Sequence, residues 1–149
     1  MTRARRAATL VVAALAIVAM AGPASAQGLA GLEKQVLPMT RANWVAFRNW
    51  GGRQFVYFTH LMAYRCGLAE VRYRLEPGAK EAVFPLPPCD PQNPHAIDAA
   101  TYPPYLDLPL GTATGVAVQV VYKDGEESET VHLAPCDAAG EATCAVLVE

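Results

Sequence analysis

The sequence predicts an all-β fold: a small antiparallel β-sandwich, immunoglobulin-like in arrangement, with six to eight short strands and disulfide staples. Three observations carry this. Short runs rich in Val, Tyr, Phe and Thr recur between turn signals such as Gly51-Gly52, Pro77-Gly78 and Asp124-Gly125. Residues 116–133 read as a β-hairpin. Four cysteines follow an export-type leader and are expected to pair. A small closed β-barrel is the rival arrangement.

The hairpin has a definite expected register. Asp124-Gly125 suits a two-residue type I′ turn, which sets Lys123 against Glu126 as an opposite-charge pair. Counting back, Val118 faces Val131 and Val116 faces Leu133, so all four share one apolar face. Ala117 then meets His132, Gln119 meets Thr130 and Val121 meets Ser128 on the other face. This register leaves Glu127 opposite Tyr122 and Glu129 opposite Val120, two acids on the apolar side.

The N-terminus has the form of a secretory signal peptide. Arg3, Arg5 and Arg6 are the basic region, residues 9–21 the apolar core, and Ala24-Ser25-Ala26 the cleavage site. The apolar run is short for a membrane anchor, and no later segment is long enough to span a bilayer. Cleavage after Ala26 leaves about 123 residues, which is one domain. The expected location is the periplasm or the exterior.

Removing the three leader arginines takes twelve Lys+Arg to nine, against fourteen Asp+Glu. That net acidity excludes nucleic acid as the expected partner. The charge is also divided: residues 27–80 hold eight basic and three acidic side chains, and residues 81–149 hold one and eleven. Two halves that complement each other across the fold explain this most simply.

In chain order, residues 27–40 form an N-terminal lead-in before a single domain over 41–149. Within it Leu29, Leu32, Val36 and Leu37 could line a short helix that Pro38 ends. A strand is expected over 44–50, a turn over Asn49-Trp50-Gly51-Gly52, and a strand over 53–59 that is apolar on both faces. Residues 60–67 connect onward and carry Cys66. Val71, Tyr73 and Leu75 face in and Glu70, Arg72 and Arg74 face out of the next strand. Residues 82–84 return as an edge strand before Pro85. Residues 85–109 hold eight prolines and read as an extended connection with a short strand over 105–108. The tail adds a last strand near 145–148. Sequence order favours Cys66–Cys89 and Cys136–Cys144, worth about 3 and about 2.5 kcal/mol by loop entropy.

No catalytic constellation is visible, so the chain is read as a non-catalytic module with no cofactor. Ser128 is the only serine after the leader, and no Gly-x-Ser-x-Gly occurs. Exposed aromatics are the candidate binding residues: Tyr102 and Tyr105 in Tyr102-Pro103-Pro104-Tyr105, together with Trp44 and Trp50. The expected partner is another cell-envelope protein. One alternative is a carbohydrate-binding module using the same rings. Another is a metal-binding or hydrolytic protein built on His60 and His132, although no paired histidine spacing supports it.

Overall fold

The computed structural model describes residues 31–140 and 142–149. The leader and its cleavage site lie outside them. Among the described residues no helix is long and apolar enough to cross a membrane.

Two antiparallel sheets form a small β-sandwich. The smaller has the order β1-β2-β5, from Ala46–Trp50, Arg53–Tyr57 and Tyr105–Pro109. The larger has the order β4-β3-β6-β7-β8, from Ala82–Phe84, Leu68–Glu76, Gly115–Tyr122, Val131–Ala134 and Val146–Val148. Their facing side chains make one core, with Phe47, Val56 and Phe58 from one side and Val71, Val116, Val118, Val120 and Leu133 from the other. Phe58 stacks on Phe84, with ring centroids 4.3 Å apart.

The barrel alternative fails on topology. The two sheets touch at one side through a single bridge, where Phe47 and Cys144 exchange backbone bonds of 2.9 and 3.0 Å. At the other side β4 and β5 are both edges, joined only by the proline-rich segment. Proline cannot donate to a ladder, so this side stays open.

The central strand β6 is buried on both faces, and the expected pairs Val116–Leu133, Ala117–His132 and Val118–Val131 form. Nearer the turn the register differs. Tyr122 N–H donates to Glu126 O and Gly125 N–H to Tyr122 O, so the loop holds three residues, 123–125. Only Gly125 has positive φ, so the two-residue type I′ turn and its Lys123–Glu126 pair are corrected. The mismatch is absorbed at Glu129 and Thr130, because Val121 bridges Glu127 rather than Ser128. Gln119 likewise does not meet Thr130; its amide donates to Ser128 O at 3.0 Å. Ser128 sustains the bulge: its N–H donates to Val120 O at 2.9 Å, and its Oγ accepts Val120 N–H at 3.0 Å. The bulge removes both acids from the apolar face. Glu127 turns outward to Arg72, 2.7 Å away, and Glu129 pairs with Arg41 at 3.1 Å.

Type I′ geometry occurs instead at the β1–β2 turn, where Gly51 and Gly52 have φ of 57° and 74°. Five pairs from Ala46–Tyr57 to Trp50–Arg53 follow from it.

The described part of the N-terminal lead-in packs on the core. Helix α1, Glu33–Met39, buries Leu37 in the core and carries Pro38 in its last turn. The 60–67 connection contains a helix that the sequence reading lacks, α2 over Thr59–Ala63, which buries Leu61 and Met62. Five residues are little more than one helical turn, too short for a 3.6-residue period to show in the sequence. The strand beginning at Trp44 starts two residues later, because residues 41–43 form a single 3-10 turn.

Both expected disulfides are present, Cys66–Cys89 and Cys136–Cys144. The proline-rich segment is pinned by Cys89 and also by Arg65, which is 5% exposed. Arg65 donates to Pro88 O at 3.0 Å, Pro94 O at 2.8 Å and Met62 O at 3.3 Å. The carboxylates of Asp90 and Asp98 accept the amides of Gln92 and Ala100, making local turns of the kind aspartate favours.

The divided charge closes across the fold. Lys34 binds Asp124 and Glu126, and Arg41, Arg53 and Arg72 bind Glu129, Asp107 and Glu127. Each pair joins the basic first half to the acidic second half.

Candidate functional site

Strand alternation sorts the small sheet into two faces. Phe47, Gln54 and Val56 point into the core. The opposite face carries three cross-strand rows in register: Ala46, Tyr57 and Tyr105; Arg48, Phe55 and Asp107; Trp50, Arg53 and Pro109. Four aromatic rings and three charged side chains thus share one surface.

The sheet beneath is held rigidly. Buried Gln54 forms two bonds with the backbone of Ala113, of 2.9 and 2.8 Å, tying β2 to the turn after β5. Phe58 N–H donates to Pro104 O at 2.7 Å and extends the β2–β5 alignment.

On the outer face, Tyr105 meets Phe55 and Tyr57 edge-on, with centroids 5.3 Å away in both cases. Arg53 Nε donates to Asp107 Oδ1 at 2.7 Å beside them. Trp50 stands at the turn end, 63% exposed, with the Arg48 guanidinium stacked 4.8 Å from its ring. Tyr105 is 37% exposed. Arg48 forms no ion pair among the described residues, and its Nε is buried without an acceptor. The face is aromatic, with Trp50 and Tyr105 exposed, Phe55 and Tyr57 half-buried, and one cation unpaired among the described residues.

A groove of about 690 Å³ opens beside this face, with Arg48 and Tyr57 on its near wall and Thr59, His60, Asn43 and Thr143 on its polar lining. His60 Nε2 lies 2.9 Å from Thr40 Oγ1. The Thr40 hydroxyl donates to Val36 O at 3.0 Å, so it accepts from His60, and the imidazole carries its proton on Nε2. Burial pushes His60 below the ordinary imidazole range and favours the neutral ring.

The sequence candidates divide. Trp50 and Tyr105 share the outer face. Trp44 does not: it is 1% exposed and donates from Nε1 to Leu37 O at 2.9 Å, as a core residue anchoring α1. Tyr102 is half-buried against the core, so the Tyr102–Tyr105 segment does not present both rings together. Tyr64 packs between His60 and His95, with centroids 5.1 and 5.4 Å away. Phe55, Tyr57, Arg48 and Arg53 are the members sequence reasoning missed. Their signal was the alternation in residues 53–57 once β2 has neighbours on both sides.

His60 and His132 are not brought together. His60 faces Thr40, whereas His132 lies on β7 with its Nδ1 2.8 Å from Glu76 Oε1. Among the described residues no group of three or more His, Cys, Asp or Glu side chains is placed to hold a metal ion. A second cavity of about 300 Å³ lies between α1 and the hairpin, but the ion pairs of Lys34 and Arg41 cross its walls. It is best explained as the seam between those elements.

Comparison with known proteins gives no matching family model, no matching curated protein and no matching solved structure.

Proposed function

We propose that this chain is an exported, non-catalytic interaction module that binds another protein of the cell envelope through the outer face of its small sheet. The observation that carries this reading is the outer face on which exposed Trp50 and Tyr105 join half-buried Phe55 and Tyr57, with Arg48 and Arg53 among them. Tyr, Trp and Arg dominate the energetic centres of protein interfaces, because each combines a large apolar area with a polar tip. The rings already hold one another by edge-on contacts, so little side-chain entropy is lost on binding. Export is supported by the form of residues 1–26 and by two disulfides, which persist in oxidising compartments. An immunoglobulin-like arrangement is the finer reading of the two-sheet fold.

A glycan reading is less well supported by the ring geometry. Stacking on a sugar needs an open ring face, and Tyr105 packs edge-to-face with Phe55 and Tyr57, while Arg48 covers one face of Trp50.

The test is photo-crosslinking in the native cells, with the reactive side chain placed at position 105 and, as a control, at position 83 on the edge of the other sheet. A specific protein adduct from position 105 alone, identified by mass spectrometry, is the expected result. Equal adducts from both positions, or none from 105, contradict the assignment.

A further inference from the structure

The groove beside the aromatic face has a chemical preference. Its lining includes hydroxyl, amide and imidazole groups from Tyr57, Thr59, Thr143, Asn43 and His60, and one formal charge, on Arg48. No carboxylate lines it among the described residues. On the small sheet the other basic side chain, Arg53, is engaged by Asp107, and nearby Arg41 and Lys34 are engaged by Glu129 and by Asp124 and Glu126. Arg74 on the large sheet also forms no ion pair among the described residues, but it lies away from this groove. Arg48 is the unpaired cation of the small sheet. Its guanidinium is stacked on Trp50, which fixes its plane, and its Nε is buried without an acceptor. A buried, charged donor with no partner favours an anionic acceptor strongly, and the planar fork of arginine matches a carboxylate. His60 adds no competing charge, since its Nε2–H is spent on Thr40 and its ring is held neutral by burial.

We infer that this groove receives an acidic side chain, Asp or Glu, of the protein partner, with Arg48 as the charged donor to its carboxylate and Trp50 holding the guanidinium in place. The inference rests on the proposed binding face and gives it a chemistry: an aromatic patch that sets affinity, and one cation beside it that sets which partner docks. Charge complementarity supports the choice of occupant, because among the described residues the cation meets no anion in the groove's lining.

The test uses the mature, disulfide-bonded protein labelled with ¹⁵N, titrated with N-acetyl-glutamate N-methylamide and, separately, with its glutamine counterpart. Saturable shifts of the Arg48 Nε–H and of the Thr59, His60 and Thr143 amides with the glutamate probe alone are expected. Affinity should fall at least tenfold in Arg48→Met, with the amide spectrum of β3, β6 and β7 unchanged. Equal response to both probes, no saturable shift, or shifts confined to other basic residues overturn the inference. The wild-type titration maps the site without any variant, so a misfolded Arg48→Met does not decide the matter. A protein crosslink from position 105 with no glutamate binding leaves the face and removes the carboxylate site. Glutamate binding with no protein crosslink removes the partner as the source of the carboxylate, and the inference falls.

Discussion

Glu127 Oε1 lies 2.7 Å from Arg72 Nη1 on the outer face of the large sheet, although regular pairing through the whole hairpin puts Glu127 against Tyr122. The contact exists because the bulge at residues 129–130 rotates the tip by one residue. Ser128 holds that bulge through its own hydroxyl. Ser128→Ala should therefore expose the Val120 amide to exchange. The loss of one partly buried hydrogen bond costs about 1 kcal/mol. Hydrogen exchange of Val120, beside an equilibrium denaturation curve, checks both.

Arg65 ties the proline-rich segment to the core. Its guanidinium satisfies three carbonyls, two of them on that segment. Arg65→Met should destabilise the fold by about 2–3 kcal/mol, since the loss leaves carbonyls at Pro88 and Pro94 without their charged donor. Limited proteolysis should cut within residues 90–101 in the variant before the wild type. The Cys66–Cys89 bond stays intact in both, so the effect is separable from the disulfide.

Gly115 has a steric task. A Cβ there would meet Glu76 Oε2 at 2.9 Å and Leu133 O at 3.0 Å. The Glu76 carboxylate crosses above this glycine to reach His132. Gly115→Ala should cost about 1–3 kcal/mol by overpacking. It should also displace the His132 ring resonances, which a two-dimensional imidazole spectrum detects.

Acidification should weaken the fold through His60 before the carboxylates titrate. Its folded-state pKa lies below the ordinary 6.5 because of burial. The unfolded chain therefore takes up the proton first, so stability is full above 6.5 and declines as pH falls toward and through the folded value. Tm measured from pH 7.5 to pH 5.5 should fall less steeply in His60→Gln, whose amide can still donate to Thr40. Identical slopes for the two proteins would contradict this.

How far the sequence speaks depends on whether a signal is local. The strands around Val71 and Val118, the Gly51-Gly52 turn and both disulfides are local, set by alternation, by positive φ and by order along the chain. The tip of the hairpin is less so, because Asp124-Gly125 fits both a two-residue and a three-residue loop, and the choice is made by Ser128 and by Lys34 on a distant helix. Helix α2 hides in what reads as a connection, because its five residues are too few to show a helical period. The binding face was legible in Trp50 and Tyr105 only. Arg48 and Phe55 meet across the β1–β2 hairpin, Phe55 and Tyr57 join Tyr105 only through β5 far along the chain, and Trp44 is withdrawn by a contact to Leu37.

The most direct measurement is the position-105 crosslink repeated in a Phe55→Ala, Tyr57→Ala double variant whose disulfides and Tm are first verified. The proposed face predicts one dominant protein adduct in the wild-type background and its loss in the double variant. The same adduct at the same yield in both would show that the aromatic face does not form the contact.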